Sequence, residues 1–320
     1  MENIQVAVFG EALIDMISQE SGVFTSLVGG SPFNVCRALS RQSINSWYMA
    51  PVSSDTLGKK IEAVILNEGV HAPFLGQSNK PTSIAIVTQS SRGLPAYTLY
   101  RDQVADFDIS ASEIIRHLPT NLGLFHTGSL VLVPEKREFL LTIFAYLKDK
   151  NIPISIDINM RKMTTVDLRS YHDTVLEVMQ YADYLKVSDE DLETLGIKDN
   201  HEEYCQTLAK DKGMRLIALT KGELGACLIS QDYSFVSPVI KPANFVDTVG
   251  AGDTFFASLI SYVLRNKLQT ENLTVSTHSL FESALNYAQV AASINISKQG
   301  CQPPNIDEIS VFAKSQDIPI

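Results

Sequence analysis

Five short apolar runs recur along the chain, most of them with amphipathic helical patterns between, and that alternation limits the fold more than any other feature. IQVAVFG (4–10) is the first, and LGLFHTG (122–128), IPISIDI (152–158), DYLKVS (183–188) and MRLIALT (214–220) follow. Continuous apolar runs of this length come from strands covered on both faces, the condition of a parallel sheet. The helical patterns are PEKREFLLTIFAYLKDK (134–150), DLRSYHDTVLEVMQYA (167–182) and EEYCQTLAKDKG (202–213). Strand and helix at this spacing predict βαβ units and a doubly wound, mostly parallel α/β fold. With 45% hydrophobic and 19% charged residues, the 320-residue chain has the apolar material for a large core. No internal repeat or low-complexity linker divides it, so one domain over 1–320 is expected.

Two segments break the rhythm. Residues 12–28 and 82–108 read as short alternating strands, as in TSIAIVTQ and AYTLYRD. An α/β core has no place for them. They would form a small β-sheet that projects from one edge and closes over a site as a lid, or else plain hairpin decoration.

The formal net charge is -10, and Lys59-Lys60 is an isolated basic pair. Polyphosphate and anionic lipid need clustered basic charge, so no nucleic acid and no membrane partner is expected, while a single nucleotide held by backbone N–H groups is not excluded. The four cysteines, Cys36, Cys205, Cys227 and Cys301, form no CxxC pair and join no His cluster, as in a reduced, cytoplasmic chain. MENIQVAVFGEALID carries Glu2 and Glu11 and lacks a basic segment, so it reads as a first strand and not a signal peptide. No run approaches the roughly 18 apolar residues of a membrane span.

The stretch FVDTVGAGDTFF (245–256) carries the chemistry. Phe255, Phe256, Leu259, Ile260, Val263 and Leu264 recur at three- and four-residue spacing, which predicts a helix with one buried face. Gly250, Ala251 and Gly252 then lie at its N-terminus, where backbone N–H groups lack partners and the helix dipole favours an anion. Small residues let that anion approach the backbone. Asp253 fits two readings: a simple dipole partner, or the acceptor of a proton from a hydroxyl that attacks a bound phosphate. LTKGELGACL (219–228) adds Gly222 and Gly225 in a turn after a strand, a place for a nucleotide or a plain β-turn. GxxxxGK[ST] is absent, as is GxGxxG after the first strand, so neither a P-loop enzyme nor a dinucleotide-binding dehydrogenase is indicated.

DTVGAGD (247–253) resembles the DTxGAGD motif of the PfkB/ribokinase family of carbohydrate kinases. Other landmarks appear in that family's order along essentially the whole chain: GEALIDM (10–16), GGSPFNVCRAL (29–39), DTLG (55–58), LTKGELGA (219–226) and NYAQVAASINISKQGC (286–301). YRDQVAD (100–106), DINMR (157–161) and KVSDEDL (186–192) are most similar to the fructokinase branch. The resemblance implies a ribokinase-like fold and transfer of the γ-phosphoryl group of ATP, with Mg²⁺, to the terminal hydroxyl of a ketose, D-fructose first. By position, Asp253 would be the base and the N–H groups of Val249 to Gly252, through Gly250 and Ala251, the anion hole. Asp15, Gly29, Gly30, Asn34 and Arg101 would hold the sugar, with Arg161 near it or near the phosphate. Lys186, Ser188, Thr220, Gly222, Gly225 and Gln289 would line the ATP side. Asp247, Val249 and Gly300 would hold a monovalent cation such as K⁺. The resemblance also implies a homodimer through the lid.

Each position has a structural reading beside the functional one. Asp15 fits a turn cap, Asn34 a helix-start residue, Arg161 a solvated loop, and Arg101 an ion pair with Asp102 or Asp106. His126 reads as a core residue at a strand end. Departures from the family pattern stand at Ser53-Ser54, where relatives often have glycine; at Ile158, where proline is usual; and at Ser188 and Asp191, in place of the Asn and Glu of a motif tied to magnesium and phosphate. A 2-keto-3-deoxygluconate kinase is the main alternative acceptor reading. A non-catalytic sugar or nucleotide sensor is the alternative of another class, although Gly250, Gly252 and Asp253 are all retained.

Overall fold

The apolar runs lie side by side at the centre of one sheet. In the computed structural model, which describes all residues except 1–3, 20–21, 90–94, 163–164, 166, 243 and 269–273, eight strands form that sheet. They are β1 (Gln5–Val8), β4 (Asn45–Tyr48), β7 (Leu122–Gly128), β8 (Ile154–Asp157), β9 (Tyr184–Ser188), β10 (Leu216–Thr220), β11 (Ala226–Ile229) and β12 (Ser234–Ser237). Their order is β12-β11-β10-β9-β8-β7-β1-β4. The strands from β4 to β10 pair in parallel, and β11 and β12 continue the sheet antiparallel. β7 to β10 are almost wholly buried, which is why their sequences run continuously apolar instead of alternating.

Helices α1 (Ser31–Arg41), α8 (Ala251–Arg265) and α9 (His278–Ile296) pack in sequence on one face. On α8 the aromatic and aliphatic residues at three- and four-residue spacing are buried, and the Phe256 ring lies 5.9 Å from that of His126 on the sheet. Helix α4 (Arg137–Asp149) packs between α3 (Ala111–His117) and α5 (Leu168–Val178). β1 lies between β4 and β7, so the chain leaves it on two sides and opens a crevice at the carboxyl ends of the strands, where α/β proteins of this type bind ligands.

The two irregular segments form a separate four-stranded sheet: β2 (Leu13–Ser18), β3 (Phe24–Gly29), β5 (Ser83–Gln89) and β6 (Pro95–Tyr100), in the order β3-β2-β5-β6. β2 pairs antiparallel with β3 and parallel with β5, and β5 antiparallel with β6. Residues 20–21 and 90–94 of these segments lie outside the described residues. Strand character ends at Tyr100, earlier than the expected 108. Beyond it the chain turns inward to bury Asp106, which accepts bonds from Ser83 Oγ (3.2 Å) and Arg101 Nη2 (3.1 Å). The Ala105 N–H bonds back to the Pro81 carbonyl at 3.0 Å.

DTLG has a structural cause here. Asp55 caps α2 (Thr56–Asn67) through the Gly58 N–H at 2.6 Å and accepts both N–H (2.8 Å) and Oγ1 (2.7 Å) of Thr82, tying the helix to the start of β5. A Cβ on Gly58 would lie 2.0 Å from the Ser53 carbonyl oxygen, so only glycine fits. At the first departure from the family pattern, Ser53 Oγ donates to the Lys80 carbonyl (2.7 Å) and accepts the Asp55 N–H (3.1 Å).

Candidate active site

Gly250 is the N-cap of α8, at φ 72°, in the left-handed region that glycine adopts without strain. A Cβ there would also lie 2.3 Å from Cys301 Sγ. Ala251 and Gly252 open the helix beside Asp253, and the Ala251 N–H donates to the Thr248 carbonyl at 3.1 Å.

Asp253 is buried and held by three side chains. Its Oδ1 accepts Ser31 Oγ–H at 2.7 Å and Asn159 Nδ2–H at 3.5 Å, and its Oδ2 accepts Asn34 Nδ2–H at 2.9 Å. Asn159 also donates to Ser31 Oγ at 2.8 Å, so Ser31 relays between the two. A carboxylate gripped this way is fixed in direction, which a mere dipole partner does not need. Ser31 and Asn34 sit on the first turn of α1, with Gly30 as N-cap and Gly29 before it. Neither Ser31 nor Asn159 stands out in the sequence, although each adjoins a residue that does. Asn159 lies between Asp157 and Arg161 at φ 39°, a region Asn tolerates better than most residues.

Asp15, on β2, faces this cluster from the small sheet. A Cβ on Gly29 would lie 2.2 Å from Asp15 Oδ2, so the glycine makes room for the carboxylate. Burial, then the nearby Asp253 charge, pushes Asp15 up to about 6, against the pull of Arg161. Arg161 therefore lies within electrostatic reach of Asp15; its Nη1 donates to the Met160 carbonyl at 3.1 Å. Leu27 of β3 touches the loop on the other side, since a Cβ on Gly300 would lie 2.9 Å from Leu27 Cδ1. The small sheet thus covers the N-terminus of α8.

Arg101 sits deeper. It pairs with Asp106 at 3.1 Å, and its guanidinium lies 4.7 Å from the centre of the Phe107 ring. Glu11 lies within its field and is wholly buried; burial pushes that carboxyl up to about 7 despite Arg101. Glu11 Oε1 accepts the Ser31 N–H at 3.2 Å, linking this pair to the start of α1.

Lys186, on β9, donates to Asp157 Oδ1 on β8 at 2.8 Å, and both are buried. Burial alone would lower the Lys186 ammonium, but Asp157, Asp191 and Asp253 together hold it above the ordinary lysine value. Burial pushes Asp157 up to about 6, with Lys186 opposing. Next to it His126 is a buried core residue against Ser155 Oγ (3.0 Å), pushed down to about 3 by burial and by Lys186.

The remaining residues spread along the carboxyl ends of β9 and β10. Ser188 and Asp191 form a capping box for the short helix α6 (Asp189–Thr194), and Asp191 also accepts the Met160 N–H at 2.7 Å. Thr220 ends β10 beside Ser188. Gly222 faces open space, whereas Gly225 packs on β12, where a Cβ would lie 2.2 Å from the Ser237 carbonyl oxygen. Gln289 accepts the Ile240 N–H (3.1 Å) and donates to the Ser237 carbonyl (3.3 Å), so it ties α9 to the turn after β12. Beside it a groove lined by Pro242, Asn244, Ser293, Ile294, Ser297 and Phe312 opens between α9 and α10 (Ile306–Ser315).

Asp247, Val249 and Gly300 meet in one pair of loops. Asp247 accepts the N–H groups of Val249 (2.9 Å) and Gly300 (3.0 Å), and Asn295 Nδ2 donates to the Val249 carbonyl at 2.8 Å. Carboxylate and carbonyl oxygens are the donor type an alkali cation takes. Among the described residues no group of three or more His, Cys, Asp or Glu side chains is arranged to hold a metal ion. Nor is any described helix long and apolar enough to cross a membrane.

Known proteins match this architecture along its length. Fructokinase-1 of Zea mays is 28% identical over 319 residues, covering 96% of each chain. The crystal structure of a fructokinase from Xylella fastidiosa with bound ATP superposes with a TM-score of 0.84 at 20% identity, over 98% of this chain and 99% of that one. A double-mutant fructokinase from Vibrio cholerae O395, solved with fructose, ADP and potassium ion, gives a TM-score of 0.79 at 22% identity, over 97% and 98%. The family model of the pfkB family carbohydrate kinases matches residues 3–308, so the chain, with its ribokinase-like fold, belongs to that family, as a fructokinase-like phosphotransferase that acts on a sugar.

Proposed function

We propose that the protein transfers the γ-phosphoryl group of Mg-ATP to the terminal hydroxyl of D-fructose, giving fructose 6-phosphate, with Asp253 as general base. The observation that carries this reading is the fixed Asp253 carboxylate beside the open N-terminus of α8 and under the small sheet. The sugar would lie between Asp15, the start of α1 and Asp253, where carboxylates and the Asn34 amide suit vicinal hydroxyls. The terminal hydroxyl oxygen would attack the γ-phosphorus while its proton passes to Asp253, and ADP would leave with the electron pair of the broken P–O bond. The N–H groups of Gly250 and Gly252 would receive the phosphoryl charge, so positioning and electrostatics supply most of the rate.

ATP would run from that nest past Ser188, Thr220 and Gly222, with its base toward the groove between α9 and α10. Mg²⁺ would arrive with the nucleotide, bound by its phosphates and water. K⁺ would sit at the Asp247–Val249–Gly300 loops and order them. The small sheet would act as a lid that keeps water from accepting the phosphoryl group. The fructokinase names of the relatives support fructose as acceptor. A 2-keto-3-deoxy acid is the second reading, because Arg161 lies in the field of Asp15 and would face a substrate carboxylate.

Asp253→Asn keeps the side chain's size and its place among Ser31, Asn34 and Asn159. Fructose and ATP dissociation constants are expected to stay within about threefold while kcat falls about 1000-fold. A kcat within tenfold of wild type would remove Asp253 as base.

A further inference from the structure

The geometry points to Lys186 as the catalytic group that brings positive charge to the phosphoryl in transit, a role distinct from holding ATP. This rests on the kinase reading above. Lys186 is 5% exposed and sits at the carboxyl end of β9. A Cβ placed on Gly252 would lie 3.2 Å from both its Cε and its Nζ. Its ammonium therefore lies against the same first turn of α8 whose N–H groups form the nest. Asp157 takes one of its three N–H donors at 2.8 Å, which leaves two for a ligand.

Stability does not explain the pair. A buried Lys–Asp pair is seldom better than apolar side chains of equal volume, because desolvation offsets the attraction. This pair is also incomplete: Asp157 Oδ2 is buried without a hydrogen-bond partner. Local charge argues the same way. Asp157, Asp191 and Asp253 all act on Lys186, so without that cation a phosphate here would have three carboxylates against it and only backbone N–H groups to offset them. Asp191, at the position the family uses for magnesium and phosphate, is engaged elsewhere: Oδ1 accepts the Met160 N–H (2.7 Å) and Oδ2 accepts the N–H (2.9 Å) and Oγ–H (2.7 Å) of Ser188. The charge at this spot comes from Lys186.

In the transfer, a bond forms between the sugar oxygen and the γ-phosphorus, and the hydroxyl proton goes to Asp253. The bond from phosphorus to the β–γ bridging oxygen breaks, and its electrons leave with ADP. Lys186 moves no proton. Its ammonium opposes the negative charge on the equatorial oxygens, which matters most in the transition state.

The test compares Lys186→Met, Asp157→Asn and the double variant with wild type, using ADP release with the best sugar, calorimetric ATP and sugar binding, and Tm. Lys186→Met leaves Asp157 without its partner and is expected to lower Tm; the double variant removes both charges and recovers Tm. Turnover is expected to stay at least about 100-fold down in both, with ATP and sugar dissociation constants within about threefold of wild type. Recovery of kcat to within fivefold in the double variant would make Lys186 only a counterion and overturn the inference. So would a raised ATP KM at unchanged kcat, which marks ground-state binding alone. Wild-type protein that releases no ADP with any sugar would overturn the kinase reading and the inference together, and the wild-type lane separates that failure from the other two.

Discussion

Burial, and after it the nearby Asp253 charge, raises Asp15, and a pH dependence of sugar binding is expected from it. Asp15 is pushed up to about 6 by burial and by Asp253, so it loses its proton only as pH rises through about 6. The ionised form is purely an acceptor for sugar hydroxyls. The KM for the sugar is therefore expected to fall as pH rises from 5 to 7, and Asp15→Asn to bind weakly with a flat profile. A wild-type KM that is level over that range would remove Asp15 from sugar binding. At this scale the two glycines before it single out Asp253 in the sequence, with its two readings left open. The sequence was silent where a residue's use depends on a distant partner. Ser31 and Asp253 lie 222 positions apart, and Asn159 and Ser31 lie 128 apart. For Arg101 the sequence leaves open a sugar contact or a pair with Asp102 or Asp106, and the pair forms with Asp106.

Helix α8 joins the chemistry to the core. Its apolar residues lock onto the sheet through Phe256 and its neighbours, and its first turn carries the proposed nest and the proposed base. Gly252→Val places a branched side chain where Lys186 already stands within 3.2 Å. Turnover is expected to fall about 100-fold, with sugar binding little changed, since a nest donor acts on charge that develops during transfer. Normal kcat in that variant would remove the nest from the mechanism. The central strands could be read from sequence because burial on both faces leaves a continuous apolar run, and α8 because its large apolar residues recur at three- and four-residue spacing. β4 is buried only at alternate positions and β12 is nowhere fully buried, so neither leaves a continuous apolar run. Residues 101–108 were read too long as strand because the buried turn at Asp106 follows from a tertiary carboxylate, not from turn residues.

Over the whole molecule, carboxyls forced into the interior link stability to pH. Glu11 rises from an ordinary 4.5 to about 7 in the folded state, chiefly by burial. The folded protein then binds that proton more readily than the unfolded chain, so the cost of burying the charge is full above pH 7 and disappears as pH falls toward 4.5. Glu11→Gln is expected to raise Tm by about 2–5 °C at pH 8 and to leave it unchanged near pH 4.5. An equal shift at both values would show that the charge is not the cause. His126, pushed down to about 3, acts in the opposite direction below its ordinary 6.5, so the difference between variant and wild type is the quantity to follow. The measurement that bears most directly on the central claim is ADP release from Mg-ATP with fructose, 2-keto-3-deoxygluconate, ribose, tagatose and adenosine as separate acceptors. Turnover with fructose far above the rest is the predicted result. Folded, ATP-binding protein that releases no ADP with any of them would contradict the account.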